Sequence, residues 1–155
     1  MAIGAPLGAF VTSGSGGLVE PFDPEFGPDG NLYVISNNPG EEQILRFDGT
    51  SGSLPRRFRR YGAGGFTGAS AIEFGPNGDL YVATNSETGV AARHDGATGV
   101  FVGVAAGGNS IRRAIGIDFD PTETCTCSTQ IVSLRPWPIA FCDSPRTRVP
   151  SSMRS

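Results

Sequence analysis

The sequence contains no lysine, few charged residues and no cysteine before position 125. All twelve basic residues other than the single histidine are arginines, and the net charge is -3, so the chain has no basic field of the kind that attracts nucleic acid. No apolar run approaches the roughly 18 to 20 residues of a membrane span, and the N-terminus shows no secretion-signal pattern. We therefore predict neither nucleic-acid binding nor a membrane span.

The scarcity of cysteine excludes other classes of site. Cys125, Cys127 and Cys142 all fall in the last quarter of the chain, so residues 1–124 have no disulfide or thiolate chemistry. A Cys-x-Cys pair with one further cysteine matches no zinc-binding spacing.

What the chain does contain is a repeat. The nine-residue phrase F-G-P-D-G-N-L-Y-V at 26–34 recurs as F-G-P-N-G-D-L-Y-V at 74–82, and F-D-P at 119–121 begins a third copy. A period of this size indicates supersecondary units that stack on one another to bury their apolar faces. The 23 glycines and 12 prolines are therefore interpreted as turn residues rather than as a sign of disorder.

Each unit is predicted to hold four short strands. A run ending in Phe, a Gly-Pro-Asp/Asn-Gly turn and the β-branched, aromatic run Leu-Tyr-Val form a hairpin. A third strand is predicted at 43–47 and 90–94, and a fourth at 53–60 and 100–105. Such a unit is typical of a β-propeller blade. The predicted fold is all-β, a partial, unclosed β-propeller of about two and a half four-stranded antiparallel blades.

The repeat also predicts the domain boundaries. Gly4–Val11 resembles Gly96–Val102, so the chain is expected to start in a fourth strand. The predicted segments are 1–13, the fourth strand of a preceding blade; 14–61, blade one; 62–106, blade two; 107–121, the start of blade three; and 122–155, an out-of-frame, poorly ordered tail.

The tail is assigned on codon grounds. Residues 121–128, P-T-E-T-C-T-C-S, can be encoded CCG ACG GAA ACC TGT ACG TGC TCN. In the shifted frame, the third base of each codon is read together with the first two bases of the next codon. This frame encodes D-G-N-L-Y-V-L, which restores the missing phrase. The codons for the later residues similarly permit a third strand and turn like those at 43–52. We infer that one frame change near Pro121 replaced the rest of blade three.

The phrase, together with I-L-R-F-D-G-T-S-G at 44–52, resembles bacterial NHL-repeat propellers, which are grouped with SMP-30/gluconolactonase-like and streptogramin-lyase-like propellers. The resemblance covers residues 4–121. It implies a central channel lined by the first strand of each blade and, in the hydrolases, a divalent ion held there. Such blades serve binding scaffolds, lactone hydrolases and lyases alike.

Three acidic residues occupy equivalent places before the Phe of each first strand: Glu25, Glu73 and Asp118. If those strands line a channel, the three carboxylates could face a shared Ca²⁺, which takes oxygen ligands. The competing interpretation places them as solvated residues or caps at strand ends. They are the candidate metal ligands; no catalytic or cofactor-binding residue is assigned, and no cofactor is expected apart from Ca²⁺ in an intact parent protein.

Three other features have structural and functional interpretations. His94 replaces the aromatic Phe47 on the third strand, which favours packing over general-base catalysis. The run Arg56–Arg60 could bind an anion, but on an outer strand it is expected to prevent pairing between sheets. Asp29–Asn31 and Asp48–Thr50 lack the spacing of a calcium loop and are expected to be turns.

The expected function is that of a fragment of an NHL-type binding scaffold without activity of its own, whose parent binds a protein, glycan or small molecule. The alternatives are a fragment of an SMP-30/gluconolactonase-like, calcium-dependent hydrolase and a streptogramin-lyase-like propeller. The sequence leaves the compartment undetermined, although a parent of this composition is compatible with export.

The frame change makes a direct prediction about the DNA. Sequencing of the locus should reveal an insertion or deletion near codon 121, with the phrase D-G-N-L-Y-V encoded in the other frame. A clean read that has no such phrase in another frame contradicts the inference.

Overall fold

Strands make up almost all of the regular structure. The computed structural model describes residues 8–38, 40–53, 56–59, 62, 64, 67–87, 89–106, 113–119, 125–129 and 140–142. Apart from a short 3-10 turn at Ser15–Gly17, the elements are β1 (Pro21–Phe26), β2 (Leu32–Ser36), β3 (Gln43–Phe47), β4 (Arg56–Arg59), β5 (Ala69–Phe74), β6 (Leu80–Thr84), β7 (Ala91–His94), β8 (Phe101–Ala106), β9 (Ala114–Phe119), β10 (Cys125–Thr129) and β11 (Ala140–Cys142).

The strands form three antiparallel sheets in chain order. The first two are four-stranded, with the orders β1-β2-β3-β4 and β5-β6-β7-β8, and the third joins β9, β10 and β11. Every hydrogen-bonded neighbour is also a neighbour in sequence, as in a propeller blade. The predicted all-β fold, an unclosed partial propeller, is confirmed.

The turn of each phrase closes its hairpin through backbone hydrogen bonds. The Gly27 amide donates to the Asn31 carbonyl at 2.9 Å, and the Gly30 amide donates to the Gly27 carbonyl at 2.9 Å. Gly30 has φ of 76°, which a residue with a side chain rarely adopts. The second phrase repeats these bonds, and in both hairpins the phrase's Phe lies opposite its Leu.

Successive blades are joined through the aromatic residues of the phrase. The Tyr33 ring packs edge-on against Phe74 of the next blade, with 4.8 Å between ring centroids, and Tyr81 packs against Phe119 in the same way at 4.9 Å. A Cβ on Gly27 would lie 2.6 Å from Tyr33 Cε2, so only glycine leaves room for the tyrosine. We call this repeated contact the Tyr–Phe interlock.

The phenylalanine of the first repeat, Phe26, packs against no tyrosine among the described residues. Phe26, the counterpart of Phe74, is 58% exposed, and Phe22 on the same strand is also exposed. The N-terminal segment covers the other part of this face, where Val11 and Leu18 pack against the cluster around Phe47.

Part of that N-terminal segment occupies the position expected of a preceding blade. A Cβ on Gly52 would meet the Phe10 carbonyl, just as a Cβ on Gly99 would meet the Phe58 carbonyl. Phe58 belongs to β4 of blade one and packs beside blade two. Residues 1–7 lie outside the described residues, so the assignment of 1–13 to a fourth strand stays a prediction.

The third sheet keeps the register of the first two. Cys125 of β10 lies opposite Phe119, as Leu32 lies opposite Phe26 and Leu80 opposite Phe74. Of the segment 122–155, only β10 and β11 are described. The rest lies outside the described residues, and its assignment as an out-of-frame, poorly ordered tail stays a prediction.

The Tyr–Phe interlock can be tested by a pair of equivalent substitutions. Phe74→Ala should lower the free energy of unfolding by about 2 to 3 kcal/mol, somewhat less than the loss of a fully buried ring. Phe26→Ala removes the same phrase residue where it is exposed, and should change stability by about 0.5 kcal/mol or less. Urea unfolding followed by circular dichroism measures both variants, and equal losses would contradict the interlock.

Candidate functional site

The three carboxylates predicted from the repeat occupy equivalent places on the first strands of the sheets. Glu25 on β1 lies opposite Tyr33, Glu73 on β5 opposite Tyr81, and Asp118 on β9 opposite Thr126. Packing of β1 against β5, and of β5 against β9, places these strands side by side. We call Glu25, Glu73 and Asp118 the acidic row.

Members of the acidic row influence one another. Burial raises the pKa of Glu73 to about 7, with further contributions from the negative charges of Glu25, Asp118 and Asp23. Burial also raises the pKa of Glu25, and Asp23 adds to that shift. Carboxylates near one another in a partly dry environment resist ionisation. The structure therefore places the three predicted residues near enough for the charges of Glu25 and Asp118 to raise the pKa of Glu73.

A calcium ion needs more than this row supplies. Ca²⁺ takes about 6 to 8 oxygen ligands at close range. In the part of the chain that the structure describes, no three or more His, Cys, Asp or Glu side chains are grouped so that they could hold a metal ion. The assignment of Glu25, Glu73 and Asp118 as metal ligands therefore stays a prediction.

Asp23 has a structural role that the sequence reasoning missed. Its Oδ2 accepts a hydrogen bond from the Ile72 amide of the next blade at 2.6 Å. A bulge between Phe22 and Pro24 and a φ of 43° at Asp23 aim this carboxylate across the blade junction. The sequence signal was a departure from the repeat, because Ala71 stands at the equivalent position of blade two.

Two further side chains hold the blade junctions. Glu42 Oε2 accepts a hydrogen bond from the Gly68 amide at 2.6 Å, which links blade one to blade two. The buried Ser70 hydroxyl donates to the Ala114 carbonyl at 2.6 Å and so links blade two to the third sheet. These hydrogen bonds hold neighbouring sheets together.

Charged residues of the phrase brace its turn. In blade one, Asp29 accepts hydrogen bonds from the Asn31 side chain at 2.7 Å and the Tyr33 hydroxyl at 3.0 Å, and it pairs with Arg46 at 3.5 Å. In blade two, where the phrase has Asn77 and Asp79, it is Asp79 that pairs with the equivalent arginine, Arg93.

The Asp-Gly turns before the fourth strands are closed in a similar way. Asp48 Oδ1 accepts hydrogen bonds from the Thr50 and Ser51 amides at 3.1 and 2.7 Å. Hydrogen bonds from Ser51 and Thr50 lower the pKa of Asp48. Asp95 accepts the corresponding bonds from Ala97 and Thr98. The turn predicted at Asp48–Thr50 is confirmed.

His94 is a packing residue. Its side chain is fully buried, its Nδ1 lies 3.3 Å from the Gly99 carbonyl, and its ring packs edge-on against Phe101. It sits on β7 opposite Leu80, in the place that Phe47 takes opposite Leu32 on β3. The packing interpretation made from the sequence is confirmed.

The arginine run lies at a sheet edge. Arg56–Arg59 form β4, the outermost strand of the first sheet, with Phe58 buried against Tyr33 and the Arg57 side chain exposed. Arg60 lies outside the described residues. The predicted outer position of this strand is confirmed, which favours the edge-protecting interpretation over an anion site.

Comparison with known proteins assigns no family. No protein-family model matches the chain, and no curated protein matches it. The described residues contain no helix long and apolar enough to cross a membrane.

The acidic row predicts a pH dependence. Because the pKa of Glu73 is raised from 4.5 to about 7, the folded state holds this proton more tightly than the unfolded chain does. The contribution of Glu73 to stability is therefore full below about pH 4.5 and lost as the pH rises through about 7. Relative to wild type, Glu73→Gln should flatten this fall in the free energy of unfolding.

Urea unfolding between pH 4 and 8 measures the difference, and NMR titration follows the Glu73 carboxyl directly. Glu25→Gln should lower the pKa of Glu73, because it removes a neighbouring negative charge. Glu41→Gln, an exposed loop substitution, is the matched control. An unchanged pH dependence in Glu73→Gln would contradict the coupling.

Proposed function

We propose that this chain is part of an NHL-type β-propeller binding protein and has no catalytic activity of its own. The observation that supports this proposal is that its polar side chains join neighbouring blades or stabilise turns. Asp23, Glu42 and Ser70 hold blade junctions, and Asp29 and Asp79 brace turns. Side chains engaged in this way build a scaffold, and binding then belongs to the loops that the scaffold presents.

The buried His94 also favours a scaffold over a lyase. A general base must reach the proton that it removes, either directly or through one water molecule. His94 lies on the third strand of its sheet and is fully buried against Phe101 and Gly99. The streptogramin-lyase-like alternative therefore lacks support from the sole histidine of the chain.

The acidic row keeps an SMP-30/gluconolactonase-like hydrolase as the second candidate. Burial raises the pKa of Glu73, and the nearby negative charges of Glu25, Asp118 and Asp23 raise it further; a bound cation would offset those charges. Because Ca²⁺ takes about 6 to 8 oxygen ligands, this candidate requires ligands beyond the three carboxylates of the acidic row. No catalytic step is assigned to this chain.

Calcium addition separates the two candidates. With about 5 mM CaCl2, enough to load a weak extracellular-type site, the melting temperature of this chain should change by no more than about 1 °C relative to EDTA. The purified chain should also hydrolyse no sugar lactone above the rate of buffer.

A calcium-specific rise in melting temperature that Glu73→Gln abolishes and Glu41→Gln retains would overturn the scaffold proposal in favour of the hydrolase, particularly if lactone turnover accompanied it. MgCl2 at the same concentration controls for general ionic effects.

A further inference from the structure

The outer edge of the second sheet is apolar and uncharged. β8 is the terminal strand of its sheet, and among the described residues its only hydrogen-bonded strand neighbour is β7. Exposed valines recur at every second position: Val100 is 63% exposed, Val102 53% and Val104 50%. No charged residue and no proline occurs between Gly99 and Ser110. An edge strand of this composition is a template for pairing with another strand.

The first sheet shows how the same position is protected elsewhere. Arg57 of β4 lies opposite Leu45, and Val104 of β8 lies opposite Ala92, the counterpart of Leu45. Arg57 is exposed and charged where Val104 is exposed and apolar. Charged side chains on an edge strand oppose its pairing with another chain. Blade one carries this protection and blade two does not.

The neighbouring third sheet leaves the valines accessible. β11 packs against β8, yet Val102 and Val104 keep half or more of their surface in solvent with β11 in place. Contact with the third sheet therefore does not account for the apolar stripe.

We propose that β8 pairs with β8 of a second copy of this chain, antiparallel across a two-fold axis. The alternation of the valines makes the strand complementary to itself. When Val102 lies opposite Val102 of the partner subunit, Val100 lies opposite Val104 of the partner subunit, so each of these three valines lies opposite a valine. Cross-strand pairs of β-branched residues stabilise antiparallel sheets, and a two-fold axis brings the same patch of both copies together.

A second copy fits this edge better than the other outer strand of the chain does. Pairing β8 with β4 would set the exposed Arg57 against the valine stripe and remove its charge from water without a counterion. Pairing β8 with itself buries apolar side chains against apolar side chains and involves no charge. The two blades therefore differ in function at their outer edges.

Substitutions that give β8 the arginine of blade one test the dimer. Light scattering after gel filtration measures the molecular mass in reducing buffer. At a protein concentration of about 50 μM, which populates a dimer with a dissociation constant in the low micromolar range, the wild-type chain should be a dimer. Val102→Arg and Val104→Arg should be monomers with unchanged circular dichroism, because both sites are exposed. Val19→Arg, at an exposed valine outside β8, should remain a dimer.

A wild-type monomer at this concentration overturns the proposal, and so does a Val102→Arg dimer. Loss of the dimer in Phe26→Ser combined with its persistence in Val104→Arg would instead place the interface on the exposed face of blade one and would also overturn it.

Cysteine cross-linking tests the register independently of affinity. In a chain with Cys125, Cys127 and Cys142 replaced by serine, Val102→Cys should form an intermolecular disulfide on mild oxidation, because directly opposite residues lie within disulfide reach. Val104→Cys should not, because the two copies of residue 104 would be about 13 Å apart along the strands. Cross-linking of Val104→Cys at least as efficient as that of Val102→Cys overturns the proposed pairing.

Discussion

The packing of one blade's tyrosine against the next blade's phenylalanine is the contact on which the architecture depends. Tyr33 and Tyr81 are almost fully buried, although each lies in a hairpin that alone would leave it exposed. Their burial requires the following blade, since Phe74 and Phe119 supply the facing rings. A hairpin with one apolar face is only marginally stable in water, so each blade gains its stability from its neighbour. The exposed ring of Phe26 marks the face where, among the described residues, no tyrosine makes this contact.

Polar contacts at the blade junctions then set how neighbouring blades sit against each other. The Asp23 and Glu42 carboxylates each accept a hydrogen bond from a backbone amide of blade two. The Ser70 hydroxyl donates a hydrogen bond to a backbone carbonyl of the third sheet. Aromatic packing tolerates some sliding, whereas hydrogen bonds of 2.6 Å require their partners at one distance and angle. The same geometry brings Glu25 and Glu73 near each other, so crowding of negative charge is a consequence of the blade spacing.

The phrase was sufficient to predict the hairpins, the four-stranded blades and the placement of Glu25, Glu73 and Asp118 on equivalent strands, because turn chemistry and strand alternation are local. The fourth strand of blade two was predicted to begin at Val100, one residue before β8 begins at Phe101. The sequence marks Asp23 only as a departure from the repeat, because its role depends on a bulge and on the distance to Ile72. The raised pKa of Glu73 likewise depends on its burial and on the charges of Glu25 and Asp118, which are 48 and 45 residues away in the chain.

The exchange of acid and amide between the two phrases has an evolutionary consequence. Asp29 pairs with Arg46 in one blade and Asp79 with Arg93 in the other, although the acid stands on opposite sides of the turn glycine. Either order satisfies the arginine, whereas two amides would leave it without a counterion and two acids would add repulsion. The residues on either side of the turn glycine are therefore expected to change together during evolution. Exchange of a whole blade keeps one acid for each arginine, whereas exchange of a single residue between blades does not.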